Sequence, residues 1–280
     1  MRRADRPDAP TGAGGHNGPI MPTELRCLVE TDESSPVVRL TGVLDRAGVD
    51  GVRDALLARL WRRPGPVIVD LSAVRIADPE ARTVVDDVRR AVAEWPATGL
   101  LVLDPPGPVD PGAPADPSGP VEPDAPVFPS LDRARAALAG APPTAVLTAD
   151  LPPVAVAARE ARALVTDGCV RWGVPELVEP ACIAVTEMVN NVVAHAGTPM
   201  TVRVAPRDDD ARSPRGLRLA VRDGSTRPPA YAGLAPLTSI GGRGLLLIDT
   251  VARRWGSTPL PDGKVVWCVL HAEDEAARRG

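Results

Sequence analysis

Between Asp104 and Pro126 a proline stands at almost every third position, from Pro105 and Pro106 through Pro111, Pro114, Pro117, Pro120 and Pro123 to Pro126. Each proline fixes φ and removes a backbone donor, so neither a helix nor an interior strand runs through such a stretch. It is expected to be extended or disordered, and ordered structure has to be built on either side of it. Upstream, Leu25–Glu30 and Val37–Leu40 read as strands parted by the Asp32–Pro36 turn. Gly48–Arg62 reads as a helix with Val52, Ala55, Leu56 and Leu60 on one stripe. Val67-Ile68-Val69 fits a strand buried on both faces. A helix over Ala81–Ala93 and a strand over Leu100–Leu103 follow. Strands alternating with helices predict an α/β layer.

Past the proline tract, Val127-Phe128 reads as a short strand, and Ser130 as the N-cap of a helix over Leu131–Ala139. The tract (104–126) is therefore expected to be an insertion in a first domain spanning 23–140, after a disordered tail at 1–22. The boundary is placed at Gly140-Ala141-Pro142-Pro143, and a second domain over 141–280. There, Val154–Trp172 reads as a long helix stopped at Gly173, and Pro175–Ala196 as a second. Thr201–Val204 and Leu217–Val221 alternate with period two, on either side of a polar hairpin loop at Arg207–Gly216. An irregular segment of lid length at Arg222–Ile240 leads to a helix over Gly244–Val251 and a last strand over Val265–Leu270. The fold class expected overall is α/β followed by α+β.

Composition removes several kinds of function. A formal charge of −4 and 2% aromatic residues argue against direct nucleic-acid binding by charge or by base stacking. Cys27, Cys169, Cys182 and Cys268 have neither metal-ligand nor redox spacing and read as small buried hydrophobes. No run of about 18 consecutive apolar residues exists, and Met1-Arg2-Arg3-Ala4-Asp5 is not followed by an apolar stretch, so neither a membrane span nor a signal peptide is expected. A cytoplasmic location is the default.

The chemistry concentrates in Ile183–His195. Glu187 and Asn191 are spaced i, i+4, so both project from one helix face. Ile183, Val185, Met188, Val189 and Val192 are left to pack elsewhere. Asp223-Gly224 follows a strand, and Gly241-Gly242-Arg243-Gly244 opens a helix. Glycines let backbone approach phosphates, and a helix start offers free N–H groups to them. Carboxylate-plus-carboxamide helix, Asp-Gly turn and glycine loop, in that order, are what an ATP–Mg²⁺ site requires.

These residues resemble the histidine-kinase-like ATPase family, most closely its anti-sigma-factor serine kinase branch. The resemblance implies an ATPase α/β sandwich with Asn191 as Mg²⁺ ligand and Glu187 as general base or water-orienting group. It implies that Asp223 accepts from the adenine amino group, with Gly224, Gly242, Arg243 and Gly244 in nucleotide binding. Asn190 falls off the Glu187–Asn191 face, and His195 is expected to pack or hydrogen-bond beside the pocket rather than act as a base. The sequence departs from the family's Asp-x-Gly-x-Gly with Asp223-Gly224-Ser225-Thr226-Arg227, and from its later Gly-Thr with Gly263-Lys264.

The first domain resembles the STAS family, the fold of anti-sigma-factor antagonists, through Val38–Asp45, Val67–Val74 and Phe128-Pro129-Ser130-Leu131. That family presents a phosphorylatable serine after an Asp at a helix start. Here Asp78-Pro79-Glu80-Ala81 puts a proline, which has no hydroxyl, in that place. Glu80 sets a negative charge at the helix N-terminus, either as a stand-in for a phosphoserine or as an ordinary first-turn carboxylate. The two resemblances together imply an ATP-binding regulator of the partner-switching type. It would be an anti-sigma factor and serine kinase whose partners are a sigma factor and/or a separate STAS-type antagonist, with homodimerisation open. The alternative is a catalytically inactive docking module on the same fold.

Overall fold

A computed structural model describes residues 27–31, 35–105, 126–141, 145–207, 215–229 and 243–279. The expectations for the N-terminal tail, for most of the proline tract and for the Pro142-Pro143 boundary lie outside the described residues, as do those for Gly241 and Gly242 and much of the lid segment.

The N-terminal layer is a five-stranded sheet in the order β1(Leu28–Thr31)-β2(Val37–Leu44)-β3(Gly65–Ile76)-β4(Thr98–Leu103)-β5(Val127–Phe128). β1 runs antiparallel to β2, and the remaining pairs are parallel. Parallel neighbours need crossover helices, and the sequence supplies α1(Val49–Arg62) and α2(Val84–Val92). Val67, Ile68 and Val69 are all buried, as an all-apolar strand covered on both faces should be. Val67 and Val69 join the cluster holding Leu56, Leu60 and Val88 on α1 and α2. Ile68 faces the other way, into a small cluster with Ala134 of α3(Leu131–Gly140). Ser130 caps α3 by accepting from the Arg133 N–H.

Where one helix over Ala81–Ala93 was expected, a 3-10 turn at Pro79–Thr83 precedes α2. Asp78 is its N-cap, accepting from the Glu80 N–H at 3.0 Å, and Pro79 takes the first position, where no N–H is needed. Glu80 is exposed and ion-paired with Arg46.

The C-terminal layer is an antiparallel sheet in the order β6(Leu147–Leu151)-β7(Met200–Arg207)-β8(Gly216–Asp223)-β10(Gly263–His271)-β9(Arg254–Leu260). One face packs on α4(Ala157–Arg171), α5(Val178–Asn191) and α6(Arg243–Val251), through Val165, Val185, Val189, Val202, Leu219 and Ile248. A final helix, α7(Ala272–Arg279), follows β10. The run Pro175–Ala196 has the length and apolarity of a membrane span, although no unbroken apolar run of that length exists. Here it is a core helix with Ala181, Ala184, Val185 and Val189 fully buried.

The second face of this sheet is not solvated. Ala220, Leu260 and Val265 point away from α5 and enter the cluster of α1 and α2, so one apolar core runs through the junction of the two layers. Glu94, just after α2, accepts from Arg207 and Arg218 and also pairs with Arg254. The Thr258 hydroxyl donates to the Ala91 carbonyl at 3.2 Å.

Candidate nucleotide site

α5 carries Val185, Met188 and Val189 into the core and leaves Glu187 and Asn191 half-buried one turn apart. At Asn191 the helix widens. Val192–Ala196 form a π turn closed by the Gly197 N–H donating to the Val192 carbonyl at 2.8 Å. Such a turn re-aims the residues of a helix end and recurs at functional sites. It brings Asn191, Val192 and His195 to the wall of one cavity of about 250 Å³.

The opposite wall is the end of β8, the start of β10 and the segment Ser225–Pro229. Met188, Val192, Val221 and Val266 give the cavity apolar surface, and Asn191, Asp223 and Lys264 are its convergent polar groups. Asp223 ends β8 fully buried. Its Oδ1 accepts from the Ser225 N–H at 2.7 Å and from Lys264 Nζ at 2.9 Å. Lys264 Nζ also donates to the Ser225 carbonyl at 3.2 Å. The pair meets because β10 runs antiparallel to β8 in a register that sets Lys264 opposite Asp223.

Gly263 makes that register reachable. Its φ is +153°, and a Cβ there would lie 1.9 Å from the Asp223 carbonyl oxygen, which only glycine avoids. Gly224 is fixed by its N–H donating to Thr198 Oγ1 at 2.9 Å.

Glu187 sits one turn before Asn191, off the cavity wall. Burial pushes its carboxyl above the ordinary value of 4.5, and no hydrogen bond or ion pair holds it among the described residues. Asn190 is exposed and off the wall, as its helical position requires. Arg243 and Gly244 open α6, and Gly242 lies outside the described residues. Among the described residues no group of three His, Cys, Asp or Glu side chains could hold a metal by itself. The oxygen donor on the wall is instead the Asn191 carboxamide, a hard neutral ligand that suits Mg²⁺ arriving with a triphosphate that supplies the remaining charge.

Residues 151–270 match the family described as histidine kinase-like ATPase domain. This stretch is a histidine kinase-like ATPase domain. The match includes α4, α5, strands β7, β8 and β9, β10 up to Leu270, and every residue named above for the cavity, while β6 lies before it apart from Leu151. No curated protein matches the chain. Among solved structures, the RsbU and RsbW domains of Rv1364c from Mycobacterium tuberculosis are similar at 19% identity with a TM-score of 0.34. That similarity covers 46% of this chain and 33% of the other, so this chain spans about a third of that chain's length.

The ATPase domain makes ATP binding the coarse function, and the cavity is the place in it where donors and apolar surface converge. Asp223 and Lys264 close one end of this apolar slot with an acceptor beside a donor. Asn191 and Asp223, which the sequence assigns to one site, line the same cavity. Sequence reasoning counted Lys264 only as a lost threonine and Ser225 and Arg227 only as departures from a glycine motif, and it left out Pro228 and Pro229, which have no periodic signal.

Proposed function

We propose that the chain binds ATP–Mg²⁺ between α5, β8 and β10, and acts in the cytoplasm as an anti-sigma regulator of the partner-switching type. In this reading it phosphorylates a serine on a separate STAS-type antagonist or sequesters a sigma factor. The observation that carries the reading is the meeting of Asn191 and Asp223 on one apolar-floored cavity inside the ATPase domain. Asp223 accepts from the adenine amino group, and Lys264 holds that carboxylate in place. Asn191 would hold the metal through its carboxamide oxygen, and the metal when bound would supply charge neutralisation to the triphosphate. Glu187, half-buried and unpaired among the described residues, accepts the proton of the attacking hydroxyl. Phosphoryl transfer is largely positioning and charge neutralisation, so Asn191 matters nearly as much as Glu187.

We further propose that residues 23–140 form a STAS-like domain that docks or regulates. With Pro79 at the acceptor position it has no hydroxyl to receive a phosphoryl group there.

A second reading has its own support. Asp223 Oδ1 is already engaged by Lys264 and Ser225, and Glu187 stands off the cavity wall, which suits a module that docks without turnover. Transfer of labelled γ-phosphate from ATP to serine on STAS-domain antagonists from the same cell separates the two. The kinase reading expects transfer that Glu187→Ala abolishes. Absence of transfer to any antagonist, with binding of the antagonist or sigma factor retained in Glu187→Ala, leaves the docking reading.

A further inference from the structure

On β7, Met200, Val202 and Val204 face the helices of the ATPase domain, so Arg203 projects from the opposite face into the junction with the N-terminal layer. There its guanidinium stacks on Trp61 of α1, with Cζ 4.2 Å from the ring centroid. Trp61 is itself held edge-to-face by Trp95 at 5.5 Å. Arg203 is only 5% exposed, and its Nε and Nη1 have no hydrogen-bond partner among the described residues. A guanidinium carries five N–H donors and is costly to bury with them unmade. Burial draws its pKa down to about 10, with Asp150 opposing and Arg222 adding to the fall.

Arg203 lines a cavity of about 530 Å³, within the range of small-molecule sites. Its walls come from both layers, with Trp61 and Arg62 from α1 and Asp150, Arg203 and Arg222 from the sheet. The carboxylates of the cavity are already engaged. Asp262 accepts from Arg222 at 2.7 Å, and Arg62 adds to the positive field on it. Asp150 accepts from the Thr201 hydroxyl at 2.7 Å. With three arginines against two aspartates on its walls, the cavity carries an excess of positive charge. Among the described residues no carboxylate hydrogen-bonds to Arg203, although the charge of Asp150 acts on it, so its guanidinium is the less engaged of the two on the sheet wall.

We propose that this junction cavity binds a small oxyanion, a phosphate- or carboxylate-bearing metabolite, on Arg203 with Arg62 at its mouth. The ligand occupies the wall of α1 and the wall of the sheet at once, so its binding is felt by both layers. The site is separate from the nucleotide cavity, because Arg222 and Asp223 are consecutive on β8 and point to opposite faces of the sheet.

The test titrates the full chain with inorganic phosphate, pyrophosphate and citrate, read by calorimetry and by tryptophan emission, since Trp61 lies directly against Arg203. The expected result is saturable binding of at least one of the three. Arg203→Met should weaken it about ten- to hundredfold, the loss of charge-assisted hydrogen bonds. Arg62→Gln, an exposed substitution that leaves the fold intact, should weaken it severalfold, and Asn191→Ala should leave it unchanged. Binding of phosphate or pyrophosphate assigns a phosphate-bearing ligand, and binding of citrate alone a carboxylate. No saturable binding of any of them by about 10 mM, or binding that neither Arg203→Met nor Arg62→Gln weakens, overturns the proposal. Binding lost in Asn191→Ala places the anion in the nucleotide cavity and also overturns it.

Discussion

Replacing Lys264 by methionine keeps the length of the side chain and removes its charge. The side chain of Asp223 is 2% exposed and that of Lys264 11%, so the substitution leaves a carboxylate in the core without its counter-charge. Breaking one side of a buried pair costs about 3–5 kcal/mol. Asp223 keeps its hydrogen bond from the Ser225 N–H, so the lower end, about 3 kcal/mol, is expected here. Removing both charges in Lys264→Met/Asp223→Asn returns a neutral, similarly shaped pair and should cost about 1 kcal/mol. Asp223→Asn alone strands the buried ammonium and should cost about 2–3 kcal/mol. Urea unfolding of the four proteins, followed by far-ultraviolet circular dichroism, gives the coupling energy directly. A single Lys264→Met within about 0.5 kcal/mol of wild type, or a double variant whose cost is the sum of the singles, would refute the idea that the pair organises this end of the sheet.

Two further outcomes test other parts of the account. Glu94 has an 11% exposed side chain and meets three arginines from the other layer, so Glu94→Ala should cost about 2–3 kcal/mol in the same unfolding assay, and a cost below about 0.5 kcal/mol would show the junction does not depend on it. Glu187 is raised by burial, so its protonated form is the one the fold favours. Any stability it contributes is full below the ordinary value of 4.5 and is lost as pH rises through the higher folded value. Glu187→Gln should therefore be more stable than wild type at neutral pH, with the advantage vanishing in acid, and under the proposed kinase reading phosphoryl transfer should fall about 10²- to 10⁴-fold. An advantage that grows on acidification would contradict the burial argument.

How much of this was legible in the sequence depended on how local the cause was. The helices α1, α4 and α5 and the buried strand at Val67–Val69 follow from spacing alone, and Ser130 as N-cap from one side chain. β9 was hidden because Gly256 and Pro259 read as breakers. It is an edge strand, where a proline is tolerated, and a Cβ at 256 would lie 2.6 Å from the Trp267 ring. Leu147–Leu151 is too short to declare itself beside Pro152-Pro153.

The covered second face of the sheet was invisible for another reason. Arg218 and Arg222 alternate with apolar residues along β8, the pattern of a solvated face. That face is covered nonetheless, because Glu94 answers Arg218 from 124 residues away in sequence. Asn191 and Asp223 were placed together by motif order. The role of Lys264, 41 residues after the carboxylate it holds, depends on strand register, which no single-residue reading supplies.

Calorimetric titration of ATP, with and without Mg²⁺, into the wild-type chain and into Asn191→Ala tests the central claim most directly. The account predicts Mg²⁺-dependent binding by the wild type that Asn191→Ala abolishes or weakens at least about tenfold, the loss of one ligand to the metal–phosphate unit. No binding by the wild type, or Mg²⁺-dependent binding that Asn191→Ala leaves intact, would contradict it.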